Sequence, residues 1–198
     1  MALIAGAALT VVACIAVSID RSSSNVAHDL FRYPLTHGMF VWLTLYASLT
    51  HLLIAVGLVC LRHVGVIGRS RTARVGLNAA IVGTALLFVC ELASLPIAGQ
   101  HNSNTWPTIV DAGFGVASVT VTAGMLAVGI STVRGCSWSS WRRNAPLICG
   151  LLSLTTIPLQ FTAALEIGIA VYGLGYAVLG VAMLTDPASR PSHAVQLA

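Results

Sequence analysis

The chain has 198 residues, the length of one ordinary domain, yet 57% are apolar, only 8% carry charge and the mean hydropathy is +0.88. A soluble globular domain carries roughly 25% charged residues. Ten cations, six anions and six histidines cannot clothe a 20.6 kDa globule in water. These values exclude a soluble enzyme with a charged surface. They also exclude a disordered chain, which would be polar and charge-rich. An integral membrane protein remains.

Six apolar stretches approach the ~20 residues that a helix needs to cross ~30 Å of hydrocarbon. They run from about Ala2 to Ile19, Met39 to Leu61, Val75 to Ala98, Thr108 to Ile130, Ala145 to Ala164 and Ile167 to Leu184. Backbone groups in lipid must be satisfied within the segment, so each is expected to be a helix. No sustained period-2 alternation supports a β-barrel. The first stretch starts without Lys or Arg and has no clear cleavage site, so it reads as a retained helix rather than a signal peptide. The expected architecture is an all-α, polytopic bundle of six transmembrane helices over residues 1–185. Residues 186–198 form a short, loose tail.

All ten cations are arginine, and their distribution sets the orientation. Arg62, Arg69, Arg71 and Arg74 lie between the second and third stretches, and Arg134, Arg142 and Arg143 between the fourth and fifth; Arg190 is in the tail. The first loop carries Arg21 and Arg32, balanced by Asp20 and Asp29. The positive-inside bias therefore places both termini in the cytoplasm of a cell inner (plasma) membrane. Such scattered arginines form no clustered basic surface for nucleic acid. Arg62, Arg69, Arg71, Arg74, Arg142 and Arg143 are expected at the anionic headgroups of the inner leaflet, where each contributes ~1 kcal/mol. Trp42 and Trp106 are expected at the outer interface, Trp138 and Trp141 at the inner one.

The first outer loop, Asp20 to Gly38, is the longest connection, and Asn25 to Tyr33 is expected to form a short interfacial helix. Gly113, Ala117, Thr120 and Gly124, and separately Gly173, Ala177 and Gly180, recur at helical spacing. Such faces suit close helix packing, within the chain or between copies. Pro158 should kink the fifth helix, with Thr155 and Thr156 within a turn to re-satisfy its backbone. The five cysteines are scattered without a CxxC pair and read as small buried apolar residues.

Ionisable groups inside the membrane are the strongest functional signal, because a charge there is costly unless paired or hydrated. Counting ~1.5 Å per residue from the expected helix ends, His51 lies ~20 Å deep, Glu91 ~10 Å and Asp111 ~5 Å. Glu91, Asp111, Glu166, His37 and His101 are expected to share an outward-facing polar pocket, with Gln100 and Gln160 near it and His51 below it. Three chemistries follow. His37, His101 and the carboxylates have the residue types of a zinc site, without the spacing of any ligand motif. Glu91 and His51 suit a proton or substrate path, since a desolvated carboxylate can exchange protons near neutrality. The third reading is structural, with Glu91 bonded between helices and Asp111 capping the fourth. No phosphate loop or nucleophile elbow is present, and no cofactor or catalytic residue is assigned.

The layout also includes the outer loop Asn25-Val26-Ala27-His28-Asp29-Leu30-Phe31-Arg32-Tyr33-Pro34, the polar exit of the third helix and the basic inner loops. It resembles the small six-helix bacterial integral membrane proteins of uncharacterised families. That resemblance implies a multi-pass bacterial membrane protein and nothing about its site. The leading expectation is a non-enzymatic accessory or lipid- and partner-binding protein, alone or as a homo-oligomer. The alternatives are a small transporter or channel-like protein with His51 and Glu91 on its path, and an intramembrane enzyme with an outward His/carboxylate site.

Overall fold

The computed structural model describes residues 1–21, 24–63, 70–135, 138, 140–160, 162 and 164–185. It is helical throughout, with no strand among these residues: α1 Ala2–Arg21, α2 His37–His63, α3 Arg71–Ser94, α4 Thr105–Gly135, α5 Ala145–Leu154, α6 Thr156–Leu159 and α7 Leu165–Leu184. Two 3₁₀ turns, Leu95–Ile97 and Ser140–Asn144, extend α3 and lead into α5. Helices α2, α4, α7 and α3 with its 3₁₀ extension are long and apolar enough to cross a membrane, and α1 is a shorter apolar helix. The expected tail and Arg69 lie outside the described residues.

The helices close into a ring. Each packs on its sequence neighbours, α5 leads on to α7, and α7 returns to α1; the most extensive interface is α3 on α4. Small residues make this closeness possible by letting the backbones approach. A Cβ at Gly124 would sit 2.5 Å from the Gly76 carbonyl oxygen and 2.6 Å from the Ala80 nitrogen. Ala117 is fully buried, and Gly113 lies against Cys90. Thr120 instead turns outward and donates to Val116 O. Gly173 and Gly180 receive Thr10 and Ile4 of α1. The small-residue faces of α4 and α7 are thus largely spent inside one chain rather than left for a second copy.

The interior is one apolar cluster running through every long helix, with Ile54, Leu58, Leu77, Val121, Met125, Tyr176 and Leu179 at its centre. Trp138 belongs to this core, 4% exposed, and not to an interfacial belt. Trp42, Trp106 and Trp141 are exposed at 74%, 64% and 46%. Cys14, Cys90 and Cys149 are buried and Cys60 is exposed.

The expected fifth span is broken. Pro158 has no N–H for the Leu154 carbonyl, and its ring crowds that carbonyl; α5 ends at Leu154. Thr155 Oγ1 donates to Leu152 O and Thr156 Oγ1 to Ser153 O, both at 2.7 Å, so the threonines bond carbonyls in the last turn of α5 rather than Leu154 O. The hairpin formed by α5, α6 and α7 is consequently short. Gln160, at its tip, reaches the level of Gly115, ten residues or about 15 Å below the start of α4.

The two ends of the ring differ in charge. Ile4 and Leu3 lie beside Gly180, and Arg142 donates to the Thr185 carbonyl, so both described chain ends share one end with Arg62, Arg71, Arg74, Arg134, Arg142 and Arg143. Arg71 and Arg74 lie in the first turn of α3, behind the Ser70 N-cap, rather than in a loop.

The opposite end is covered by residues 24–36, which form no helix. This segment is a strap of turns, bridged antiparallel to the α3–α4 connection at Leu30 and His101. Phe31 N donates to Gln100 O at 2.9 Å, and Asn102 N to Asp29 O at 2.8 Å. Pro34 disfavours helical backbone at Tyr33, and pairing with residues 100–102 satisfies donors that an isolated short helix would leave open.

Candidate functional site

Two facing stripes of polar groups, on α2 and α3, lie inside the ring. Thr44, Ser48 and His51 recur at four and three residues along α2, and Thr84, Glu91 and Ser94 occupy the corresponding face of α3. The hydroxyls are satisfied by their own helices: Ser48 Oγ donates to Thr44 O at 2.8 Å, Thr84 Oγ1 to Ala80 O at 2.8 Å and Ser94 Oγ to Glu91 O at 2.6 Å. The imidazole and the carboxyl are not satisfied in this way. His51 Nδ1 is buried without a well-formed hydrogen bond and lies 3.9 Å from Glu91 Oε1. The Ala47 carbonyl, one turn back, is the other polar group in its reach. The two side chains retain 14% and 18% of their accessible surface.

This meeting overturns the expected separation of His51 from Glu91. The depth estimate assumed that α2 and α3 share an outer end. They do not: His51 is fourteen residues from the start of α2, whereas Glu91 is three from the end of α3. The same offset joins Arg62 Nη1 to Asn78 Oδ1 at 3.4 Å near the other end. The outer turns of α2 therefore project past α3. The strap and the 3₁₀ turn cover that projection, with Phe40, Leu35 and Ala98 forming a small core there.

The remaining candidates do not join the pair in one pocket. His37 is exposed at the first position of α2, about 21 Å along the helix from His51. His101 is engaged by Asp29, with Nδ1 and Oδ2 2.8 Å apart. Asp111 is exposed on α4 and sits six residues inside the helix, too far to cap it. It lies one turn above Gly115, which faces Gln160 Oε1 at 3.7 Å from a built Cβ. Asp111 and Gln160 thus mark the strap side of the ring, where the short hairpin stops. Glu166 lies in the first turn of α7. Among the described residues, no three His, Cys, Asp or Glu side chains are grouped to hold a metal ion. The expected shared pocket of Glu91, Asp111, Glu166, His37 and His101 is therefore not assembled.

The sequence suggested Asp29 only as a charge balancing Arg32, and Phe31 as part of a short interfacial helix from Asn25 to Tyr33 in the outer loop. The one local signal was that Asp29 and Phe31 flank Leu30 in a segment ending at Pro34, a pattern better suited to a turn than to a helix. Comparison with protein-family models, curated proteins and solved structures finds no match for this chain. The functional argument therefore rests on the geometry of its own residues.

Proposed function

We propose that this chain is a multi-pass protein of the plasma membrane which crosses the bilayer six times, with both termini in the cytoplasm. In this reading its helix ring carries a proton-exchanging path entered from the outer side, with His51 and Glu91 as the proton-binding pair. Support for the orientation comes from the six arginines gathered at the end that also holds both described chain ends, as the positive-inside bias requires. Entry is then from the other end of the ring, which residues 24–36 cover.

The observation that carries the path is the 3.9 Å separation of His51 Nδ1 and Glu91 Oε1 inside the ring. An imidazole and a carboxyl in low dielectric share one proton, as an ion pair or as two neutral groups. At 3.9 Å the proton is not locked in a direct hydrogen bond, which needs about 2.7–3.2 Å. A single water about 2.8 Å from both atoms would complete the relay.

The test is proton uptake by vesicles reconstituted with the purified protein. A potassium gradient with valinomycin drives the flux, and a trapped pH dye reports it. Wild-type vesicles should acidify faster than empty ones, and Glu91→Gln and His51→Ala should return the rate to that of empty vesicles. Wild-type uptake equal to that of protein-free vesicles sinks the proposal.

The arginine-rich end favours a second reading, a lipid- or partner-binding accessory protein without flux of its own. Arg62, Arg71, Arg74, Arg142 and Arg143 would then hold anionic headgroups. Purification without a stoichiometric partner, together with no preference for anionic lipid, would remove it.

A further inference from the structure

We infer that the strap of residues 24–36 is an access gate over the His51–Glu91 pair, with Phe31 as its plug and Asp29–His101 as its latch; this rests on the reading of that pair as a proton path. Three independent features converge on the strap. The backbone is stitched to the α3–α4 connection at two points, Phe31 N to Gln100 O and Asn102 N to Asp29 O. The Asp29 and His101 side chains meet at 2.8 Å across the same bridge. The Phe31 ring packs on both small outer cores, one formed by Leu35, Phe40 and Ala98 and the other by Cys90, Ile97 and Val110. It meets Phe40 edge to face at 6.2 Å.

Its position makes the strap a gate rather than a brace. Cys90 precedes Glu91 in α3, and Ala98 is seven residues beyond Glu91. Cys90 faces α4 at Gly113, so Phe31 fills the space between the projecting turns of α2 and the ends of α3 and α4, capping the end of α3 that carries Glu91. The fastening is light. The His101–Asp29 contact is 60% and 63% exposed, and exposed polar pairs contribute little. Two backbone hydrogen bonds, the Phe31 ring and the buried Leu35 side chain hold the strap, few enough contacts to open locally while the ring of helices stays folded. His28 stacks near Tyr33 within the strap, at a ring distance of 4.1 Å, and Arg32 reaches toward Gly99. These are the other charged or titratable groups at the joint.

The test uses Cys90 as a reporter in full-length protein in which Cys60 and Cys136 are replaced by Ser. Right-side-out vesicles are treated with a membrane-impermeant methanethiosulfonate, and the labelled peptide is identified by mass spectrometry. Slow labelling of Cys90 is expected with the intact strap. Phe31→Ala should accelerate it at least tenfold. Asp29→Asn, which removes only the ionic latch, should accelerate it by roughly 1.5- to 5-fold, the range of an exposed pair. A second variant, L30C/H101C, exploits the antiparallel bridge, whose Cα spacing of about 4.5–5.5 Å suits a disulfide. Oxidised, it should suppress proton uptake, and reductant should restore it. Labelling in Phe31→Ala at the wild-type rate, or full proton uptake by the locked protein, overturns the gate. If wild-type vesicles take up no protons while Phe31→Ala still exposes Cys90, the gate stands and the proton path fails.

Discussion

Replacing Gly124 by alanine places a methyl group against backbone that has no room to yield. The new Cβ would lie 2.5 Å from the Gly76 oxygen, 2.6 Å from the Ala80 nitrogen and 3.1 Å from its Cα. Ordinary contact begins at 3.4 Å, so α3 and α4 must part by about 0.9 Å, the shortfall at the closest atom. Overpacking of this kind costs about 1–3 kcal/mol. The change from glycine to alanine in a helix returns about 0.5–1 kcal/mol. The net expectation is a loss centred near about 1 kcal/mol and at most about 2.5 kcal/mol, or up to about 10 °C in Tm for a chain of this size. Gly115→Ala supplies the control on the same helix. Its Cβ meets only Gln160 Oε1, at 3.7 Å, so the variant should match wild type or gain up to about 1 kcal/mol. Both are measured by thermal unfolding in one detergent, followed by tryptophan fluorescence. Gly124→Ala as stable as wild type, or Gly115→Ala the weaker of the two, would refute the packing argument.

Three further outcomes follow from the same geometry. Pro158→Ala restores the N–H that Leu154 O lacks, so α5 and α6 should fuse. Hydrogen exchange at residues 155–160 should slow, and unchanged exchange would assign the break to another cause. Thr132 Oγ1 lies 2.9 Å from Gly129 O and 3.1 Å from Arg143 O, tying α4 to the turn before α5. Thr132→Val should therefore lower stability by about 1 kcal/mol, read by thermal unfolding. Reporter tags on the two chain ends should label from the cytoplasmic side only. Labelling of the ends from opposite sides would contradict six crossings.

The helices themselves were largely legible. Apolar runs of membrane length demand internally satisfied backbone, so α2, α3, α4 and α7 appear within a few residues of their expected places. Pro158 with Thr155 and Thr156 announced the disturbance in the fifth run, where the hydrogen-bond ladder lapses at Thr155 while its backbone stays in the αR region. Trp138 was misplaced because an aromatic near a helix end satisfies both an interfacial and a core reading; neighbouring elements decide between them. The strap was misread as a helix for a related reason. Its backbone partners are residues 100–102, some seventy positions away. Of the candidate site, His51 and Glu91 were identifiable as costly groups inside apolar runs. Their contact was not, and neither was the failure of His37, His101 and Asp111 to join them.

Composition and periodicity by themselves determined that the chain is helical, where most helices run and which connections carry the arginines. Those properties follow from local backbone hydrogen bonding and from the free energy of moving each side chain out of water. The tertiary structure decided the longitudinal register of α2 against α3, the closure of α7 on α1 and the docking of the strap. Register is a sum of close contacts between distant segments, such as Gly57 receiving Leu3 and Gly124 meeting Ala80. A slide of one helix along another leaves every local pattern unchanged, so only the packed ring sets which buried polar groups face each other.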